Sequence, residues 1–97
     1  MATKTKSPPP AAKKKIFVVD DHPMTRLGQV ETLNREPDLT VCGQAGTARE
    51  TLEAIGRLKP DVLLMDLTLP DKEGLELIKD IQALHPALPV LVCSMHD

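Results

Sequence analysis

The chain has 97 residues, room for one domain and no more. Its formal charge of −2 is uneven: residues 1–15 hold five lysines and no acid, whereas residues 16–97 hold seven basic and fourteen acidic side chains. An acidic body disfavours direct nucleic-acid binding, the aliphatic runs are far too short to span a membrane, and two cysteines make neither a disulfide framework nor a zinc site. With no apolar secretion segment at the N-terminus, a soluble cytoplasmic protein with no membrane partner is expected. Phe17 is the only aromatic residue, so platforms for stacking nucleic-acid bases are absent.

Residues 1–15 (MATKTKSPPPAAKKK) read as a disordered basic leader, because Pro8-Pro9-Pro10 favours extended backbone and the lysines bury nothing. Order is expected from Ile16, giving one domain over residues 16–97. Ile16–Val19 is an uninterrupted apolar run, suited to a strand buried on both faces, and it ends in Asp20-Asp21. A helix then starts near His22-Pro23, with Met24, Leu27, Val30 and Leu33 on one face and Pro37 closing the segment. Leu39–Ala45 is a second strand. Thr47 and Glu50 have capping-box spacing at the start of a second helix, whose stripe is Ala48, Leu52, Ile55 and Leu58 or Lys59 and which Pro60 ends. Val62–Met65 is a third strand ending in Asp66, followed by the loop Leu67–Lys72. A third helix carries Leu77, Ile78, Ile81 and Leu84 and stops before Pro86. Val90–Cys93 is a fourth strand, followed by Ser94. Strands alternating with helices predict an α/β fold: an open parallel sheet with right-handed crossovers and helices on both faces.

In such sheets ligands bind beyond the carboxyl ends of the strands. Asp20 and Asp21 stand at that end of the first strand and Asp66 at that end of the third. If those strands are neighbours, at a spacing of roughly 4.8 Å, three carboxylates converge. Carboxylates this close repel one another, and a hard divalent cation such as Mg²⁺ resolves the repulsion. The combination suits phosphoryl transfer, with an aspartate able to act as nucleophile. One aspartate at a strand end is an ordinary turn former; a pair and a single on the same sheet edge are less readily chance. His22 is placed within reach of the metal site but is expected as a partly exposed residue at a helix start, Met24 and Met65 as core fillers, and Cys42 and Cys93 as small core residues.

IFVVDDHP, LLMDLTLPDKEG and VLVCSMHD together resemble the receiver domain of bacterial two-component response regulators, over essentially all of residues 16–97. The DDHP and SMHD details look most like the NarL/FixJ subgroup, whose full-length members carry a LuxR-type output. The resemblance implies a flavodoxin-like sheet in the order 2-1-3-4, with the family's last helix, strand and helix missing after Asp97. It implies that a sensor histidine kinase phosphorylates Asp66. It further implies that Mg²⁺ is held by Asp20, Asp21, Asp66 and the backbone carbonyl of Thr68, and that the Ser94 hydroxyl signals the phosphoryl group. Pro70 and Gly74 match the loop after the third strand. Such a protein is a signalling phosphoacceptor rather than an enzyme, controls transcription in its full-length parent, and reaches DNA only through an output domain.

The family's fifth strand normally brings a lysine and an aromatic switch residue. Neither has a counterpart here, because Lys72 and Lys79 lie in a loop and a helix. Loss of that strand leaves the fourth as an apolar edge, so self-association or a homodimer is expected. The alternative reading is therefore a non-phosphorylatable interaction fragment that associates through this edge. A metal-dependent phosphatase on a similar sheet is disfavoured, since His22 stands where a second acid two residues after the nucleophile would be needed. In the order 2-1-3-4, Cys42 and Cys93 lie roughly 14 Å apart, beyond disulfide reach.

Overall fold

The computed structural model describes residues 13–93. The apolar run before the Asp20-Asp21 pair forms β1 (Lys14–Val19), and α1 (Pro23–Asn34) follows with Pro23 in its first turn, where a missing N–H leaves no bond unmade. Next come β2 (Leu39–Ala45), α2 (Ala48–Leu58), β3 (Val62–Met65), α3 (Gly74–Leu84) and β4 (Val90–Val92). All strand pairs are parallel, in the order β2-β1-β3-β4. This is the expected flavodoxin-like arrangement, with β1 and β3 central.

Strand alternation divides the core between the two faces. Phe17, Val19, Leu63 and Met65 pack with Ala48 and Ile55 of α2 and Leu77 and Ile81 of α3 in one buried cluster. Ile16 and Val18 are buried on the opposite face, where Leu64 meets α1. At Ile16/Phe17 the register with β2 slips by one residue, leaving Cys42 unmatched and placing Gly43 opposite Phe17. A Cβ on Gly43 would lie 2.9 Å from the Phe17 ring and 2.8 Å from Leu58, so only glycine lets that ring lie flat against β2.

Several expectations are corrected. β1 begins at Lys14, not Ile16, because two bonds hold Lys15 in the structure: its N–H donates to Asp61 (2.7 Å) and its Nζ to the Leu58 carbonyl (3.1 Å). Residues 1–12 of the expected leader lie outside the described residues. Met24 is 80% exposed rather than a core filler, Leu27 is exposed too, and α1 buries no residue fully, since only its inner edge meets the sheet. Leu84 is exposed at the end of α3. Cys42 and Cys93 are half-buried and not joined in a disulfide; Cys42 packs against the core cluster as expected, and burial pushes its thiol pKa up. β4 stops at Val92 and is the outermost strand on its side of the sheet among the described residues, with Leu91 59% exposed. Among the described residues no helix is long and apolar enough to cross a membrane.

The glycines of α2 and α3 differ in what surrounds them. A Cβ on Gly74 would fall 2.5 Å from the Leu67 Cα and 2.6 Å from its carbonyl oxygen, both backbone atoms that cannot swing aside. Nothing lies within 4 Å of the same position on Gly56. Gly74→Ala should therefore cost about 2 kcal/mol, or about 10 °C in Tm. Gly56→Ala should raise stability by about 0.5–1 kcal/mol by removing chain entropy in a helix. Thermal unfolding of the two variants checks both signs.

Candidate functional site

β1 and β3 run side by side with Val19 opposite Met65, so the next residues, Asp20 and Asp66, leave the sheet together. The hydrogen-bond ladder continues one step past the strands: Asp66 N donates to the Val19 carbonyl (2.9 Å) and Asp20 N to the Ala45 carbonyl (3.0 Å). That extra step fixes both residues at one level. Their carboxylates are 1% and 3% exposed, with Asp21 half-buried beside them.

Each buried carboxylate has one oxygen satisfied by the amide two residues ahead. His22 N donates to Asp20 Oδ1 (2.9 Å) and Thr68 N donates to Asp66 Oδ1 (3.1 Å). Asp20 Oδ2 and Asp21 Oδ1 are buried with no hydrogen-bond partner. Ligand atoms of Asp20, Asp21, His22 and Asp66 all lie within 4.8 Å of one another. Of the residues predicted for this site, the structure thus brings Asp20, Asp21 and Asp66 together and places Thr68 beside Asp66 through its N–H. Ser94 lies outside the described residues.

His22 was expected at the surface. Its side chain is indeed 56% exposed, yet Nδ1 lies 3.1 Å from Asp20 Oδ1, 3.0 Å from Asp21 Oδ1 and 3.9 Å from Asp66 Oδ2. The hydrogen bond to Asp20 and the charge of Asp21 raise the imidazole pKa above its ordinary 6.5.

Two supporting residues are absent from the sequence reading. Arg26 reaches back from α1 to donate to the Asp20 carbonyl (2.6 Å) and to Gln44 Oε1 on β2 (3.0 Å). Asp71, in the loop after Asp66, accepts from the backbone N–H groups of Ala48 (2.8 Å) and Arg49 (3.1 Å) at the start of α2. Thr47 Oγ1 accepts the next free amide, that of Glu50 (3.1 Å). The three free N–H groups of α2 are therefore all satisfied, two of them by a loop 22–23 residues away in sequence. Asp71 and the Gly74–Leu67 backbone bond (3.0 Å) hold the loop carrying Thr68 against α2 and α3. Lys72 pairs with Asp80 and not with the site, as its loop position led us to expect.

Residues 16–97 match the response regulator receiver domain family, and the chain belongs to that family. It is 38% identical over 82 residues to the DNA-binding transcriptional activator DevR/DosR of Mycobacterium tuberculosis, covering 84% of this chain and 38% of that protein. It is 42% identical over 82 residues to protein-glutamate methylesterase/protein-glutamine glutaminase 2 of Vibrio vulnificus, covering 84% of this chain and 24% of that protein. A two-component response regulator of the LuxR family from Aurantimonas sp. SI85-9A1 superposes with a TM-score of 0.82 at 34% identity, over 88% of this chain and 61% of that one. The chain thus spans well under half the length of these curated relatives. Receiver domains generally bind Mg²⁺ at an acidic pocket, and Asp20, Asp21 and Asp66 form an acidic cluster here.

Two outcomes are expected. Crowded carboxylates repel, so Asp21→Asn should melt about 5 °C above the parent in chelator, and saturating Mg²⁺ should reverse the order. Asp71→Ala should melt about 5 °C below the parent at pH 7, the usual effect of losing a helix cap. The backbone bonds from Ala48 and Arg49 hold the Asp71 pKa below its ordinary 3.8. Its contribution is therefore present above that value and lost as pH falls through the lower folded-state pKa, so the two melting curves should converge only in strong acid.

Proposed function

We propose that this domain accepts a phosphoryl group on Asp66 from a sensor histidine kinase, with Mg²⁺ bound by Asp20, Asp21, Asp66 and the Thr68 carbonyl, and passes the signal to an output that controls transcription. The observation that carries this reading is the convergence of two buried carboxylates and a third half-buried one within 4.8 Å. A buried oxygen with no partner is costly unless a cation completes it, and Asp20 Oδ2 is such an atom. The oxygen donors of the three carboxylates fit a hard divalent ion.

Asp66 Oδ1 is occupied by the Thr68 amide, so Oδ2, which faces His22 and the cluster, is the nucleophile. Oδ2 attacks the phosphorus of a phosphohistidine, an O–P bond forms, the P–N bond breaks, and the leaving imidazole nitrogen takes a proton from solvent. When bound, the metal neutralises charge on the transferring oxygens. The burial of Asp66 limits water and keeps the carboxylate aimed. Ser94, one residue past Cys93, is proposed to contact the phosphoryl oxygens and report its presence. Transcriptional output is supported by the likeness to DevR/DosR.

A second reading has its own observation. Leu91 and Val92 lie exposed on the sheet edge, and an unpaired apolar strand favours association with another chain. In that case the chain acts as a non-phosphorylatable interaction fragment.

Intact mass spectrometry after incubation with a small phosphoramidate donor and Mg²⁺ separates the readings. One added phosphoryl group is expected, absent without Mg²⁺ and absent in Asp66→Asn. A size that rises with concentration, without any phosphoryl gain, would support the interaction fragment instead.

A further inference from the structure

We propose that the His22 imidazole competes with Mg²⁺ for the acidic pocket: the ring stands where water or a phosphoryl oxygen belongs in the shell of the ion, and it turns outward when the ion enters. This inference rests on the metal site proposed above and concerns what opens that site.

The ring faces all three carboxylates at once. Nδ1 lies 3.1 Å from Asp20 Oδ1, 3.0 Å from Asp21 Oδ1 and 3.9 Å from Asp66 Oδ2. Donor atoms about 2.1 Å from one octahedral ion stand about 3.0 Å apart when adjacent and about 4.2 Å apart when opposite. Nδ1 therefore keeps the distances of a neighbouring ligand, not those of the ion itself. Mg²⁺ fills such positions with water or a phosphoryl oxygen, and imidazole is a poor substitute for either.

The ring answers only part of the carboxylate charge. Asp20 Oδ1 accepts two bonds from the same residue, one from His22 N (2.9 Å) and one from Nδ1 (3.1 Å). Asp20 Oδ2 and Asp21 Oδ1 are buried and accept none. A cation that serves all three carboxylates thus displaces a donor that serves a single oxygen well.

The ring is also able to leave. Pro23 confines the His22 backbone to extended conformations, and it has φ −97° and ψ 105°. Its own N–H is tied to Asp20, so the backbone stays where it is. The side chain is 56% exposed, and an exposed side chain changes rotamer in nanoseconds or less. Its departure uncovers Asp66 Oδ2, the atom proposed above to attack phosphorus. Entry of the metal and access of the phosphoryl donor are then one event.

The test uses the whole chain. Mg²⁺ titrations of the parent, His22→Ala and Asp20→Asn are followed by NMR through the Asp66 and Thr68 amides, and in the parent through the His22 ring as well. A ring that lies in the pocket about 80–90% of the time lowers the apparent affinity about five- to tenfold. We therefore expect His22→Ala to bind Mg²⁺ at least about fivefold more tightly than the parent, and Asp20→Asn to bind it more weakly. In the parent, the His22 ring resonances should move toward those of a solvated imidazole with the same half-saturation as the Asp66 amide. Unchanged or weaker Mg²⁺ affinity in His22→Ala, or ring resonances that stay still while the Asp66 amide saturates, would overturn the competition and leave the metal site standing. No Mg²⁺ binding by either the parent or His22→Ala would overturn the competition and the metal site together.

Discussion

Like charge held at one point in low dielectric is the constraint around which this domain is arranged. Asp20 and Asp66 stand at adjacent strand ends, 1% and 3% exposed, with Asp21 against them. The chain answers the cost in the same way at both positions. Each strand is left by a tight turn in which the carboxylate accepts the amide two residues on, His22 for Asp20 and Thr68 for Asp66. That device satisfies one oxygen of each carboxylate; the other oxygen of Asp66 lies 3.9 Å from His22 Nδ1, and that of Asp20 is buried without a partner. Stability alone gives no reason to leave it so, because an amide or hydroxyl donor would remove the penalty.

The rest of the fold keeps those two turns in register. The inner residues of β1 and β3 are apolar and packed on both faces, so the pair is clamped, and a one-residue slip of either strand would turn each buried side chain into the wrong core. Arg26 braces the first turn from α1, bonding the Asp20 carbonyl and Gln44 at once. Asp71 and Gly74 brace the second from α2 and α3. The two acidic turns are thus held by four other elements, α1, β2, α2 and α3. A cation that drew the carboxylates together would act on a site whose surroundings already fix its shape.

Much of this was legible in the sequence, for identifiable reasons. Apolar runs ending in acid mark parallel strands, and β2 and β3 fall at the expected residues. The proximity of Asp66 to Asp20 and Asp21 needed only the order of strands. What was not legible depends on contacts distant in sequence. Asp71 caps a helix that begins 23 residues before it, and no local pattern announces such a pairing. The capping box at Thr47 was half right: Thr47 accepts from Glu50 N, but the Glu50 carboxylate reaches Gly46 N, because the chain enters α2 one residue tighter than the motif assumes. Met24 fits a helical stripe yet stands exposed, since periodicity gives the direction a side chain faces and not whether anything lies there. For His22 the sequence predicted exposure correctly. The direction of the ring, set by Pro23 and by the bond from its own amide to Asp20, could not be read from spacing.

The relatives locate the division of labour. One is a DNA-binding activator and another a methylesterase, and each matches this chain over 82 residues while most of its length lies elsewhere. The acidic turns lie at the carboxyl ends of the strands. The exposed apolar side chains, Met24 and Leu27 on α1 and Leu91 and Val92 on β4, lie on the flank beside them. The two regions are physically joined: Cys93 N donates to the Met65 carbonyl (2.8 Å), one residue before Asp66, and the Cys93 sulfur meets Gln29 of α1 at 3.9 Å. The strand that ends at Asp66 is therefore bonded directly to the end of β4, and through Cys93 to α1.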